Sequence, residues 1–217
     1  MVEDLHVIQL TIPGCCGELE ARLYYGEGAA EGIGGILCPP HPLLAGNMEN
    51  NVVQEVAKTM ASHMPVLLFN YPAVGKSTSP QPGLPLFEVW NALDQHKDYR
   101  GIVEEVRQVI GWSRKYFCRY HMVGYSFGAH MALTALTPEA LSYTAIAPPL
   151  AEENFSALST LSLPICLIMA EEDNLLTAQI PESCPTHVKN LEIQGGDHFF
   201  RGREQEVAKQ VMLFVTN

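Results

Sequence analysis

The chain is short of charge, and of positive charge above all. Charged residues make up 17% of its 217 positions, where an average domain carries about a quarter, and 24 acidic side chains face 13 basic ones for a net charge of −11. The Lys and Arg residues do not cluster anywhere, so the basic patch that a phosphate backbone or an anionic lipid headgroup requires is missing. Long apolar runs are missing too: the best of them, such as residues 165–170, have strand length and fall far below the roughly 20 residues of a spanning helix. The opening Met1-Val2-Glu3-Asp4 lacks the basic and apolar regions of a secretory signal. A cytoplasmic protein with neither nucleic acid nor membrane as partner is expected. The six cysteines (Cys15, Cys16, Cys38, Cys118, Cys166, Cys184) include one vicinal pair but no Cys-x-x-Cys. They are expected to stay reduced, with Cys38, Cys118 and Cys166 acting as small hydrophobes in or beside apolar segments. No His/Cys group has zinc-site spacing, so neither metal nor cofactor is implied, and there is no internal repeat.

What the chain does have is 47% hydrophobic residues, enough at this length to bury roughly 70% of the unfolded surface in one domain spanning 1–217. Short apolar runs alternate with helical patterns. Residues 5–12 and 19–25 predict an antiparallel strand pair around Pro13-Gly14-Cys15-Cys16-Gly17, and 33–38 a third strand stopped by Pro39-Pro40. Further strands are expected at 66–69, 121–123, 143–147, 165–170 and 188–193. Helices are expected at 47–61 behind an Asn cap, at 98–117, at 127–136, and at 203–215. This order predicts an α/β fold: a mostly parallel central sheet with helices on both faces and an N-terminal antiparallel strand pair. Residues 73–97, rich in Pro, Gly and Ser, predict a long irregular loop.

Gly124-Tyr125-Ser126-Phe127-Gly128 follows a short apolar strand and opens a helical pattern, the context in which Gly-x-Ser-x-Gly forms a nucleophile elbow. The turn is so tight that side chains at the flanking positions would strike neighbouring backbone. Ser126 is thereby presented above the sheet, at a helix N-terminus that favours developing negative charge. A serine hydroxyl needs a base to take its proton and a third group to orient that base. In this arrangement both partners lie downstream, each just past a strand. Of the downstream histidines, His187 precedes a strand and so sits at the wrong end of the sheet. His198 follows the strand 188–193 through Gln194-Gly195-Gly196-Asp197, at the carboxyl end where such sites assemble, and is chosen as base. For the acid, Asp173 lies three residues past the strand 165–170, while Glu171 and Glu172 are nearer and spacing alone does not exclude them. Asp197 adjoins His198 and suits a loop-capping role.

An oxyanion needs two backbone donors. One is expected from Phe127, directly after the nucleophile. The other is expected from Leu43, the first good donor in the proline-rich loop after the third strand. His41 is expected to shape that loop, and His41, Tyr125 and Phe199 are assigned to the substrate side. Two other motifs fail. Asn70-Tyr71-Pro72-Ala73-Val74-Gly75-Lys76-Ser77 has Asn70 where a phosphate loop has its first glycine, and Ser79-Pro80-Gln81-Pro82-Gly83 forbids the helix that must follow. Gly26-Glu27-Gly28 opens no helix either, so it is not a dinucleotide fingerprint.

These residues resemble a known group, the small α/β-hydrolases related to dienelactone hydrolases and prolyl-oligopeptidase-like hydrolases, over about 41–203. His41-Pro42-Leu43-Leu44-Ala45-Gly46-Asn47-Met48-Glu49-Asn50 is similar to that group's HPLxGGxMDN segment, and Phe69-Asn70 with Gly75-Lys76-Ser77 falls where it has FNFRGVGxS. Gly124-Tyr125-Ser126-Phe127-Gly128-Ala129 is similar to GFSFGA. The most specific match sets Gly196-Asp197-His198-Phe199-Phe200-Arg201-Gly202-Arg203 against GADHFFxGR, which supports His198 independently of spacing. The resemblance implies Asp173 as the acid, in a slot where Ala170 replaces the usual glycine. The group's Arg-Gly is replaced by Pro72-Ala73 and its following Gly/Glu-rich segment is absent, a departure that touches the 73–97 segment and not the triad.

The reading is therefore an α/β-hydrolase fold with no cap domain, because only 148–164 separates two strands where a cap is commonly inserted. Its expected activity is serine hydrolysis of carboxylic esters or thioesters through an acyl-enzyme on Ser126. The acidic surface favours neutral or cationic small-molecule substrates. Peptidase or amidase activity on the same fold, and a catalytically silent binding protein, are the competing readings.

Overall fold

A computed structural model of the chain describes residues 5–27, 32–173 and 188–216. Among these residues eight strands form one sheet: β1 (His6–Pro13), β2 (Glu18–Tyr25), β3 (Gly32–Cys38), β4 (Val66–Phe69), β5 (Phe117–Tyr125), β6 (Ala140–Ile146), β7 (Ile165–Ala170) and β8 (Val188–Ile193). The spatial order is β1-β2-β4-β3-β5-β6-β7-β8. β1 pairs antiparallel with β2, and β2 with β4; all later neighbours are parallel. Among the described residues five helices flank the sheet: α1 (Asn51–Ala61), α2 (Leu86–His96), α3 (Arg100–Ser113), α4 (Phe127–Ala135) and α5 (Glu204–Val215). None of the helices among the described residues is long and apolar enough to cross a membrane.

The central strands read as continuous apolar runs because both of their faces are covered. Alternate residues go to opposite sides. Ile36, Leu67, Phe69, Met122 and Leu167 pack with α2, α3 and α4, while Leu37, Val66, Leu68, Val123 and Ile168 pack with α1 and α5. α1 begins at Asn51, four residues later than the expected start at 47, behind Asn50, whose side chain accepts from the amides of Val52 and Val53 as an Asn cap does. β1 has one strand neighbour and is largely exposed, in keeping with the polar residues that alternate along it.

Several expectations need correction. Residues 73–97 are not one irregular loop, since α2 occupies Leu86–His96. The Pro, Gly and Ser density stops at Pro85, and Leu86, Val89, Trp90 and Leu93 follow at helical spacing. Val89 and Trp90 are buried, and the Trp90 indole N–H donates to the Pro72 carbonyl at 3.1 Å. The helix expected to reach residue 117 ends at Ser113, and Phe117 instead opens β5, which is longer than 121–123. Cys38 and Cys166 are buried as expected, and burial pushes the Cys38 thiol well above its usual range and that of Cys166 up to about 11. Cys118, however, is exposed on β5, as are Cys15 and Cys16 on the β1–β2 turn. His187 and Cys184 lie outside the described residues.

His121 is buried on β5 with Nδ1 2.8 Å from the Ser142 hydroxyl. Burial, helped by the charge of Arg119, holds its pKa down to about 4. The unfolded chain binds this proton near pH 6.5, so stability is fully present above that value and is lost as pH falls toward 4. The loss amounts to about 2 kcal/mol between pH 7 and 5. Denaturant unfolding of His121→Asn at those two pH values should show a pH-dependent loss smaller than wild type by that amount; an unchanged difference would contradict the assignment.

Candidate active site

Strand order reverses at β3, where β4 lies on one side and β5 on the other, and the carboxyl ends of strands at such a point open a crevice. Register decides what meets there. Cys38 pairs with Gly124, so the loop leaving β3 emerges beside the turn leaving β5. Ala170 pairs with Ile193, so the segments after β7 and β8 run together, with the Glu172 amide donating to the Gly196 carbonyl at 2.8 Å.

Ser126 occupies the turn between β5 and α4 with φ 53° and ψ −121°, a conformation costly for a residue with a side chain. Its amide donates to the Ile146 carbonyl at 2.8 Å. Its hydroxyl makes no capping bond to α4 and instead lies 3.1 Å from Nε2 of His198. The flanking glycines are required by contact. A Cβ on Gly124 would strike the Gly128 carbonyl and the Ala129 backbone, and one on Gly128 would strike the carbonyls of Cys38 and Pro39.

Nδ1 of His198 is 2.7 Å from Oδ2 of Asp173, and both side chains are buried. An ionised carboxylate only accepts, so Nδ1 carries the proton and the Nε2 lone pair faces the serine hydroxyl. The acid alternatives separate by contact: Glu171 accepts from the Gly195 amide at 2.8 Å, bracing the β8 turn. Asp197 accepts from the amides of Phe199 and Arg201 at 3.1 and 3.2 Å, a loop cap as expected.

The structure distributes the other sequence-assigned residues differently. Ser126, His198, Phe127, Leu43 and His41 line one cleft of about 440 Å³. The Phe127 amide belongs to the first turn of α4, where helix amides have no partner within the helix. The Leu43 amide, at 3.3 Å, donates to Nδ1 of His41. Tyr125 does not reach the cleft wall. It is buried, and its hydroxyl donates to the His198 carbonyl at 2.7 Å, so it supports the histidine from beneath. Burial, with Asp197 and Asp173 nearby, keeps its phenol well above the usual range and therefore a donor. The reason is alternation: Ser126 points out of the turn and its neighbour points in. Phe199 stands edge-on to His198 with Arg201 over its ring, and it faces a neighbouring groove.

Sequence reasoning missed the opposite wall of the cleft, formed by Asp94, Lys97 and Tyr99 around the end of α2 and by Pro149, Glu152 and Glu153 after β6. The spacing of Leu86, Val89, Trp90 and Leu93 was the available signal for α2; nothing local marks Glu152 or Glu153. Lys97 donates to the Glu152 carbonyl at 3.0 Å, tying the two segments together. Among the described residues no group of His, Cys, Asp and Glu is placed to hold a metal.

This architecture is the α/β-hydrolase fold in its compact form, without a cap domain: the β6–β7 connection carries only a short 3₁₀ turn, Ser156–Ser159. It is similar to an alpha-beta serine hydrolase homologue from Coxiella burnetii (TM-score 0.77, 25% identity, 95% of this chain and 96% of that one). It is also similar to a lidless a/b serine hydrolase from Xanthomonas campestris (TM-score 0.72, 23% identity, 95% of each chain) and to a dienelactone hydrolase from Anabaena variabilis (TM-score 0.73, 17% identity, 98% and 97%). In sequence, an uncharacterised protein of Rickettsia prowazekii is 26% identical over 187 residues, 79% of this chain and 74% of that protein. No family model matches the chain.

Gly128→Ala should destabilise the fold by about 1–3 kcal/mol through overpacking and displace Ser126 with α4. Thermal unfolding and labelling of Ser126 by a fluorophosphonate should both fall; wild-type values for both would show that the close approach is not required.

Proposed function

We propose that the chain is a serine hydrolase that cleaves esters or thioesters of neutral or cationic small molecules. The observation that carries this reading is the alignment of Ser126, His198 and Asp173 at 3.1 and 2.7 Å on the floor of an open cleft. Ser126 Oγ attacks the acyl carbonyl while its proton passes to His198 Nε2, and Asp173 stabilises the resulting imidazolium. The amides of Phe127 and Leu43 receive the oxyanion. Collapse of the tetrahedral intermediate expels the alcohol or thiol, which takes the proton from His198. Water, deprotonated by the same histidine, then attacks the acyl-enzyme and releases the acid, restoring Ser126.

The walls support this substrate class. Leu43, Leu44, Phe127 and Pro149 offer apolar surface to an acyl or alcohol group, while Asp94, Glu152 and Glu153 outnumber the single Lys97. With no cap over the cleft among the described residues, small or extended substrates fit better than a fully enclosed one. The free thiols of the described residues agree with a reducing, cytoplasmic setting.

Wild type should be labelled at Ser126 by a fluorophosphonate, seen by intact mass, and Ser126→Ala should take up none and lose roughly a thousandfold or more in kcat/KM. A wild type that does not label would sink the hydrolase reading. Within a matched series of chromogenic esters, a cationic alcohol or acyl group should exceed its anionic counterpart in kcat/KM by roughly fivefold to tenfold at low salt, with the gap shrinking as salt rises. An anionic preference would overturn the substrate class.

A further inference from the structure

The cleft holds a second imidazole–carboxylate pair that the proposed chemistry leaves unused. His41 stands at the N-terminus of the 3₁₀ turn Pro42–Leu44, in the loop after β3. Its Nε2 lies 3.0 Å from Oδ1 of Asp94, and the Tyr99 hydroxyl donates to the same oxygen at 2.9 Å. The imidazole is packed edge-to-face against Trp90 and Phe127, with ring centres 5.1 and 4.9 Å away. The ring is therefore held by a carboxylate on one edge and by aromatic packing around it.

That arrangement sets the tautomer. A carboxylate that accepts from Nε2 leaves the proton there, so the Nδ1 lone pair is free to accept. What it accepts is the Leu43 amide, at 3.3 Å, the second oxyanion donor of the reading above. We propose that His41 is a positioning residue: held by Asp94 and Tyr99, it keeps the Leu43 N–H aimed and partnered in the free enzyme and yields it to the oxyanion as negative charge develops.

The energetics favour such a handover. A neutral N–H···N contact of 3.3 Å is long for a hydrogen bond, whereas a bond to an oxyanion is charge-assisted and roughly twice as strong as a neutral one. A neutral substrate carbonyl must compete with the imidazole for the amide, but the oxyanion outcompetes it. The donor's benefit is thus concentrated in the transition state, where it raises kcat and does not merely tighten ground-state binding. The Leu43 amide is also spared the cost of standing without a partner between turnovers.

This inference rests on the serine hydrolase reading, and three substitutions separate the two. Asn places its Oδ1 near the position of His Nδ1, so His41→Asn keeps an acceptor for the Leu43 amide. Gln reaches toward the Nε2 position, so His41→Gln keeps the contact with Asp94 and loses that acceptor. His41→Ala loses both. Each is assayed for fluorophosphonate labelling at Ser126, for kcat and KM on a chromogenic acetate ester, and for thermal midpoint. Removing an oxyanion donor outright costs about a hundredfold to a thousandfold. Losing its positioning in His41→Ala and His41→Gln should therefore lower kcat by roughly tenfold to a hundredfold, with KM within about twofold. His41→Asn should recover most of kcat. If His41→Ala proves too unstable to assay, the Asn and Gln pair decides. Wild-type kcat in His41→Gln, equal losses in Asn and Gln, or a change confined to KM would overturn the positioning role. A wild type that neither labels nor turns over would remove the hydrolase reading itself.

Discussion

The backbone of α4 rests directly on the backbone leaving β3, and much of this protein follows from that contact. Gly128 lies against the carbonyls of Cys38 and Pro39, and Gly124 against the first turn of α4. With no side chain between them, strand, turn and helix are drawn into so tight a path that Ser126 must adopt φ 53°. Holding a serine there costs about 1–3 kcal/mol, and the cost is offset by the burial of α4 between the sheet and α3. The strain lifts the hydroxyl clear of the helix and toward His198. The same approach brings the loop after β3 beside Ser126, which is why Leu43 and Phe127, from two distant stretches of chain, line one cleft.

The parallel sheet assembles the rest by register. β7 and β8 end side by side, so a carboxylate three residues past one strand and an imidazole five residues past the other meet at 2.7 Å. Tyr125, the residue before Ser126, points inward and donates its hydroxyl to the His198 carbonyl from below. Position is imposed on the histidine through both its ring and its backbone. The opposite wall is held by α2, and Trp90, buried against Tyr71 and Phe127, anchors that helix to the sheet. The aromatic cluster therefore links the wall that carries Asp94 to the residue that follows Ser126.

Much of this was legible in the sequence, and unevenly. β4, β7 and β8 appear with the expected bounds: β4 and β7 are short buried apolar runs between a Pro and a polar residue, while β8 is an edge strand that buries only Val188 and Ile193. Ser126, Asp173 and His198 were legible as candidates because a nucleophile elbow and the ends of later strands have local signatures. The helix α2 was misread because its N-terminal approach is dense in Pro, Gly and Ser, which masked the apolar spacing that begins at Leu86. Tyr125 lies off the cleft wall to which it was assigned because spacing places a residue beside Ser126 without saying which way it points in a turn of unusual φ.

What the sequence by itself determined is the alternation of strands and helices, the glycine-flanked serine and the identity of the groups able to act with it. These are local properties: hydrophobic period, steric demand and the chemistry of single side chains. Only the tertiary structure decided which carboxylate faces His198, where Glu171 and Asp197 spend their oxygens, and how Asp94, Tyr99 and His41 come together across more than fifty residues of chain. Those outcomes depend on strand register and on helix packing over the sheet, and no window of sequence contains them.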